Sequence, residues 1–341
     1  MTGRSDSAAR DPDAWLAAIP KVELHVHLEG AIPLDALWEL IGKYGGDFQA
    51  PDRASLDRRF RFVDFPHFID TWVWKNRFLR EYEDFTFIAR CVAETLSEQN
   101  IRYAEVFYSP PDFARIGLTP QRLTEAIRKG LDAVPAIRIH LIADLVRDFG
   151  PERAFDTLRA VSDVRGMGVV GIGIGGSEHA FPPEPFAEVF AAARALGFHT
   201  TAHAGEADGP ESIRGALVAL QADRIGHGTR AIEDPELMAR LADMQIPIEL
   251  CPISNVRTSV VPSIEAHPVR QFFDSGMNIS IHTDDPAMFG NSLMDEYRAL
   301  IRHHGFTREE IVQLHVNAVR AAWMDEVWKA EMERDIGNYR C

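Results

Sequence analysis

Short β-branched or apolar runs alternate along the chain with longer stretches of helical spacing. The runs predict strands at Val22–His27, Ile101–Phe107, Ile137–Leu145, Val169–Ile174, His199–His203, Arg224–His227, Ile246–Leu250 and Asn278–His282. Apolar positions three and four apart predict helices at Pro120–Ala133, Pro151–Asp163, Pro185–Leu196, Glu211–Leu220, Pro235–Asp243 and Pro268–Ser275. Several of these helices open on or near a proline, which suits the first helical turn. Strand followed by helix, repeated in this way, implies parallel strands with crossover helices. Eight strands point to an α/β fold, a closed (β/α)8 TIM barrel, with an open doubly wound sheet as the rival. The stretch from about residue 41 to 89 is too long for one loop and helix, and reads as a helical cap inserted between the first two strands. Residues 1–12 are small, polar and charged and read as a flexible arm, which leaves 13–341 as a single domain.

Composition narrows the classes. At 341 residues, 46% hydrophobic and 26% charged, the chain has globular proportions and the length to bury a full core. Lys+Arg is 36 against 51 Asp+Glu, a net charge of −15. That balance argues against a nucleic-acid partner, whose phosphates are bound through a basic face. No apolar run is long enough to span a membrane, and Met1–Pro20 lacks the basic start and apolar run of a secretory signal. Cys91, Cys251 and Cys341 are too few and too scattered for a disulfide framework or a cysteine metal site, so a cytoplasmic location is expected. Oligomeric state leaves no mark in the sequence.

Reactive groups of such barrels sit at the C-terminal ends of the strands. Here the first predicted strand ends in His25-Val26-His27, the fifth in His203, the sixth in His227 and the eighth in His282-Thr283-Asp284-Asp285. Residues two apart on a strand face the same side, so His25 and His27 both reach the barrel mouth. With His203 and Asp284 they make three imidazoles and a carboxylate, a donor set suited to Zn²⁺. Glu206, just past the fifth strand, is placed to act as a proton donor to a substrate held over the metal, since apolar enclosure raises a carboxyl pKa. His227, between Gly226 and Gly228, either ligates the metal or acts on the attacking water. Asp285 diverges from Asp284, so one binds metal while the other reaches water or substrate. The run Gly171–Ser177 lacks the GK[ST] of a phosphate loop and suits close approach to a flat substrate instead. It also lacks a lysine to bridge two metals, which favours one. The remaining histidines, His267 among them, read as packing or surface residues, except His179, which borders the predicted mouth. Phe62, Phe65, Phe68, Trp72 and Trp74 form an aromatic cluster in the insert, from which a residue or two would close over the substrate.

Five segments occur in one order: Lys21–Ile32 (KVELHVHLEGAI), His203–Glu206 (HAGE), Arg224–Gly228 (RIGHG), Leu250–Asn255 (LCPISN) and His282–Pro286 (HTDDP). With them the chain resembles the adenosine deaminase family of metal-dependent amidohydrolases. The resemblance implies a (β/α)8 barrel with one Zn²⁺ per chain, held by His25, His27, His203 and Asp284. It implies that Glu206 protonates the purine N1, that His227 orients and deprotonates the water on the metal, and that Asp285 holds that oxygen. His27, Glu29, Gly176 and Asp285 would contact the substrate, Gly176 through its backbone N–H and Glu29 from the position that reads the sugar.

Three positions depart from the family pattern. Glu29 stands where typical adenosine deaminases carry an aspartate, Ser177 replaces an aspartate, and Phe107 replaces an arginine. All three bear on the pocket and none is expected to touch the metal set. The activity expected is zinc-dependent hydrolytic deamination of a 6-aminopurine nucleoside, most simply adenosine to inosine plus ammonia. Free adenine or a modified adenine nucleoside is the alternative substrate. Amide or lactone hydrolysis is disfavoured by Glu206, and a non-catalytic purine-binding barrel by the intact ligand set.

Overall fold

The computed structural model describes residues 12–62 and 65–339. The expected arm lies outside them, apart from Pro12. Eight strands are present: β1 (Lys21–His27), β2 (Ile101–Tyr108), β3 (Arg138–Asp144), β4 (Val169–Gly173), β5 (His199–Ala204), β6 (Arg224–His227), β7 (Ile248–Leu250) and β8 (Ile279–Ile281). They pair in parallel in sequence order. The seam between β8 and β1 closes only at its C-terminal end. There the His27 N–H donates to the Asp284 carbonyl and the Asp284 N–H to the His25 carbonyl, both at 2.9 Å. The result is a (β/α)8 barrel, and the doubly wound alternative falls away.

Strand β1 shows how the sequence makes such a wall. All seven of its residues are buried. Alternation sends Val22, Leu24 and Val26 to one face and Lys21, Glu23, His25 and His27 to the other. The polar set is tolerated inside because each member is partnered: Lys21 by the carbonyls of Ile19 and Gln99, Glu23 by His282 and Thr283, His25 by Glu249 and His27 by Asp284.

Between β1 and β2 lie helices Leu34–Lys43, Arg53–Arg59, Phe65–Asn76 and Tyr82–Glu98. Tyr82–Glu98 buries Phe85, Ile88, Ala89, Val92, Ala93 and Leu96 at helical spacing, so it is the crossover helix leading onto β2. The aromatic cluster divides. Phe68 stacks on Phe289 beyond β8, with Phe62 and Trp72 beside it, whereas Trp74 joins the main core against Phe78. The Phe65 side chain lies outside the described set. Among the described residues no helix is long and apolar enough to cross a membrane.

Candidate active site

The C-terminal ends of β1, β5, β6 and β8 converge. His227 and Asp284 both adopt left-handed backbone, at φ 63° and 64°, a conformation rare for residues with a Cβ and recurrent at functional sites. The bend falls on the last residue of β6 and three residues past the end of β8, and the side chains of both join the buried cluster. His25 Nε2 lies 3.0 Å from His203 Nε2, and His27 Nε2 lies 3.2 Å from the same atom. Asp284 Oδ1 is 3.3 Å from His27 Nε2 and 3.7 Å from His25 Nε2. Four donors about 2.0–2.1 Å from a tetrahedral zinc ion stand about 3.3 Å apart, so these separations suit one small cation. A second grouping is also compact: donor atoms of His25, His203, His227 and Asp284 lie within 4.8 Å of one another.

Partners behind the cluster orient it. The Ser254 hydroxyl donates to Asp284 Oδ2 at 2.6 Å, leaving Oδ1 turned to the imidazoles. Burial alone would raise the Asp284 carboxyl, but the hydrogen bond from His27 and the neighbouring imidazoles pull it well below the usual range. Glu249 Oε2 accepts from His25 Nδ1 at 2.8 Å. This leaves the Nε2 lone pair of His25 facing inward, as in other carboxylate–histidine–metal arrangements. Glu249 in turn pairs with Arg224 at 2.5 Å, and Arg224 with Glu105 at 2.6 Å, over the face of Trp323. None of these carboxylates was singled out from sequence. The available signal was a charge in mid-strand among apolar neighbours, as in Ile248-Glu249-Leu250, because such a residue is buried only with a partner.

The cluster adjoins a cavity of about 1260 Å³ lined by Trp72, Asn76, Asp112, Gly176, Ser177 and Glu206, among others. Glu206 Oε2 lies 3.5 Å from His227 Nε2, and burial pushes its pKa up to about 6. Its loop is held by Glu178, another residue not foreseen. The Glu178 carboxylate accepts from the backbone N–H groups of Gly205, Glu206, Ala207 and Asp208. Asp285 packs so closely on Gly30 that a Cβ there would meet its Oδ1 at 1.7 Å. Burial, and then the charge of Asp284, raise the Asp285 carboxyl. Gly176 has φ 101°, and a Cβ would meet Asp148 Oδ2 at 2.0 Å, so only glycine fits there.

Of the three departures, Glu29 is buried, with Oε1 accepting from the Ser109 N–H and Oε2 without a partner. Lys75, from the helix Phe65–Asn76, is also buried and donates to the Glu29 carbonyl at 2.6 Å. Ser177 is tied to Asp148 through its N–H and its hydroxyl. Phe107 overturns the expectation that no departure touches the metal set. Its ring stacks on His27 at 4.9 Å and contacts His25 and His203 at 5.0 and 5.5 Å between centroids. An apolar ring at this point packs against the three imidazoles.

The sequence profile described as adenosine deaminase matches residues 20–339. The chain belongs to the adenosine deaminase family. An aminodeoxyfutalosine deaminase of Streptomyces coelicolor is 35% identical over 335 residues, 97% of this chain and 87% of that protein. An adenine deaminase of Bordetella avium is 36% identical over 308 residues, 89% of this chain and 97% of that one. An amidohydrolase from Burkhoderia ambifaria solved with bound zinc superposes with a TM-score of 0.88 at 29% identity, covering 99% of this chain and 95% of that one. This deaminase is thus a hydrolase of the class that acts on C–N bonds of cyclic amidines.

Proposed function

We propose that the enzyme releases ammonia from C6 of a 6-aminopurine, with one Zn²⁺ held by His25, His27, His203 and Asp284. The observation that carries this reading is the buried set of three imidazole nitrogens and one carboxylate oxygen, with His25 and His27 each 3.0–3.7 Å from both His203 and Asp284, beside the cavity that Glu206 lines. A cation bound there lowers the pKa of a coordinated water to about 7. The rest of the chemistry belongs to the chain. Glu206, kept partly protonated by burial, donates to the ring N1 and draws electrons from C6. Asp285 and His227 face the oxygen that adds to C6. One proton of the attacking water passes to Asp285 as the C6–O bond forms; the C6–N bond then breaks and the amine leaves as ammonia with that proton, while the water's second proton replaces the one Glu206 gave to N1.

The substrate is an adenine derivative larger than the free base. A cavity of about 1260 Å³ exceeds the usual span of small-ligand pockets. Its lining includes Ile69, Val73, Ile116 and Phe149, large apolar side chains left 40–52% exposed. They suit a substituent extending from the base. Free adenine is the second reading. It is favoured by the unpartnered Glu29 Oε2, which could take an imidazole-ring N–H that a sugar would replace. Relatives named for adenine and for aminodeoxyfutalosine support a substrate other than plain adenosine. Steady-state rates on adenine, adenosine, N6-substituted adenines and 5′-modified adenosines test the choice. A 5′-modified adenosine should lead, and a clear preference for adenine would replace the first reading by the second.

A further inference from the structure

Distance alone leaves His227 with two roles. Its ring is close enough to His25, His203 and Asp284 to join a metal, and its Nε2 also faces Glu206. The location of its proton decides, and a string of buried hydrogen bonds fixes that location. The string starts at the backbone N–H of Val269, which can only donate and which bonds His267 Nδ1 at 3.2 Å. That nitrogen is therefore bare. Burial lowers the His267 pKa to about 3, so the ring is neutral and carries its one proton on Nε2. This N–H meets Asn255 Oδ1 at 3.1 Å, and the Thr229 hydroxyl donates to the same oxygen at 2.8 Å. With its carbonyl so engaged, Asn255 turns its NH₂ toward His227 Nδ1, 3.2 Å away. An amide nitrogen only donates, so Nδ1 of His227 is bare and the proton sits on Nε2. His227, Thr229, Asn255 and His267 are all buried.

We propose that Asn255 and His267 are positioning residues that hold His227 as its Nε2–H tautomer, so that it meets the reacting oxygen as a hydrogen-bond donor. A ring with Nε2–H has no lone pair there for a cation, which leaves His27 as the third imidazole of the donor set. Nor can it accept a proton at that atom, so the base role implied by family resemblance is closed to it. His25, with its ring centroid 4.8 Å from that of His227, is set the other way. Its Nδ1 faces the Glu249 carboxylate, which only accepts, so its proton sits on Nδ1 and its lone pair faces inward. One amide and one carboxylate thus give two adjacent imidazoles opposite tautomers. What the His227 donor acts on rests on the proposed function; the tautomer itself does not.

The test uses full-length, zinc-loaded protein labelled with ¹⁵N-histidine. Long-range ¹H–¹⁵N correlations separate protonated from bare ring nitrogens, and the signals missing from His227→Gln identify that residue. The wild type should show His227 protonated at Nε2. Asn255→Asp presents only acceptors to Nδ1 and should move the proton there. His267→Glu should reverse the string by turning the Asn255 amide over, whereas His267→Gln, which still offers an N–H to Asn255, should keep the wild-type pattern. In Asn255→Asp and His267→Glu, kcat should fall by about 10²–10³ with KM little changed, the usual effect of losing one preorganised donor. A bare Nε2 in the wild type, or an unmoved proton in both reversing variants, overturns the proposal. Should the tautomers behave as stated while no 6-aminopurine is deaminated, the proposed function fails and the positioning role stands.

Discussion

The two halves of the barrel interior are built from the same residue types and treat them differently. Toward the N-terminal face, buried charges find opposite charges or carbonyls. Lys21 donates to the carbonyls of Ile19 and Gln99, and Arg224 lies between Glu105 and Glu249. Toward the C-terminal face, Glu29 Oε2, His203 Nδ1, His227 Nε2 and Asp285 Oδ1 are buried and have no hydrogen-bond partner within the chain. Leaving such an atom unsatisfied costs about 1–3 kcal/mol. The lower half pairs its buried charges within the chain. The upper half keeps polar atoms available to something that binds, and this is what marks it as the site.

Changes in the two halves should therefore fail differently. Glu206→Gln should lower kcat by about 10²–10⁴ while bound metal stays at one per chain, read by ammonia release and elemental analysis. Burial raises the Glu206 carboxyl to about 6, and its acid form is lost as pH rises through that value. The alkaline fall in wild-type kcat/KM should be absent from the variant. Undiminished turnover would remove Glu206 from the chemistry. Arg224→Met should instead cost stability, about 3–5 kcal/mol, because it strands two buried carboxylates. Urea unfolding measures this, and a loss below about 1 kcal/mol would contradict the pairing.

Glu249 touches both halves. Glu249→Gln should weaken zinc binding by about 10–100-fold, measured by competition with a chromophoric chelator. Unchanged affinity would detach it from the site. The smallest effect is expected at Lys21, whose pKa burial lowers from 10.5 to about 8. Between these values the unfolded chain holds a proton that the folded chain has released, so stability should rise with pH, by at most about 1.4 kcal/mol per unit. Lys21→Met should lack that slope when unfolding is compared near pH 8 and pH 10.

Strand β6 was legible to the residue, and the other seven strands to within two residues at either end. The shortfall falls mainly at strand ends. β7 was expected from Ile246 and starts at Ile248, and β8 was expected to reach His282 and stops at Ile281, although single backbone hydrogen bonds continue beyond both ends, from the Ile225 N–H to the Pro247 carbonyl and from the His282 N–H to the Leu250 carbonyl. The helix expected over Glu211–Leu220 divides into an α-helix and a turn of π-helix, a change of hydrogen-bond spacing that apolar periodicity does not report. At the site, the residue types at strand ends were legible. Phe107 was misjudged because its position on β2 says nothing about the three rings it touches.

Alternation of period two, helical spacing between the runs, and polar residues at strand termini were enough to place eight strands and to nominate His25, His27, His203 and Asp284. All of these are local properties of the chain. Which residues partner them is not local. Glu249 lies 224 positions from His25, and Asn255 lies 28 from His227. An imidazole carries the same two nitrogens wherever it occurs. Whether it offers a lone pair or a proton depends on which nitrogen meets a donor and which an acceptor, and that is settled only when barrel closure packs distant strands together.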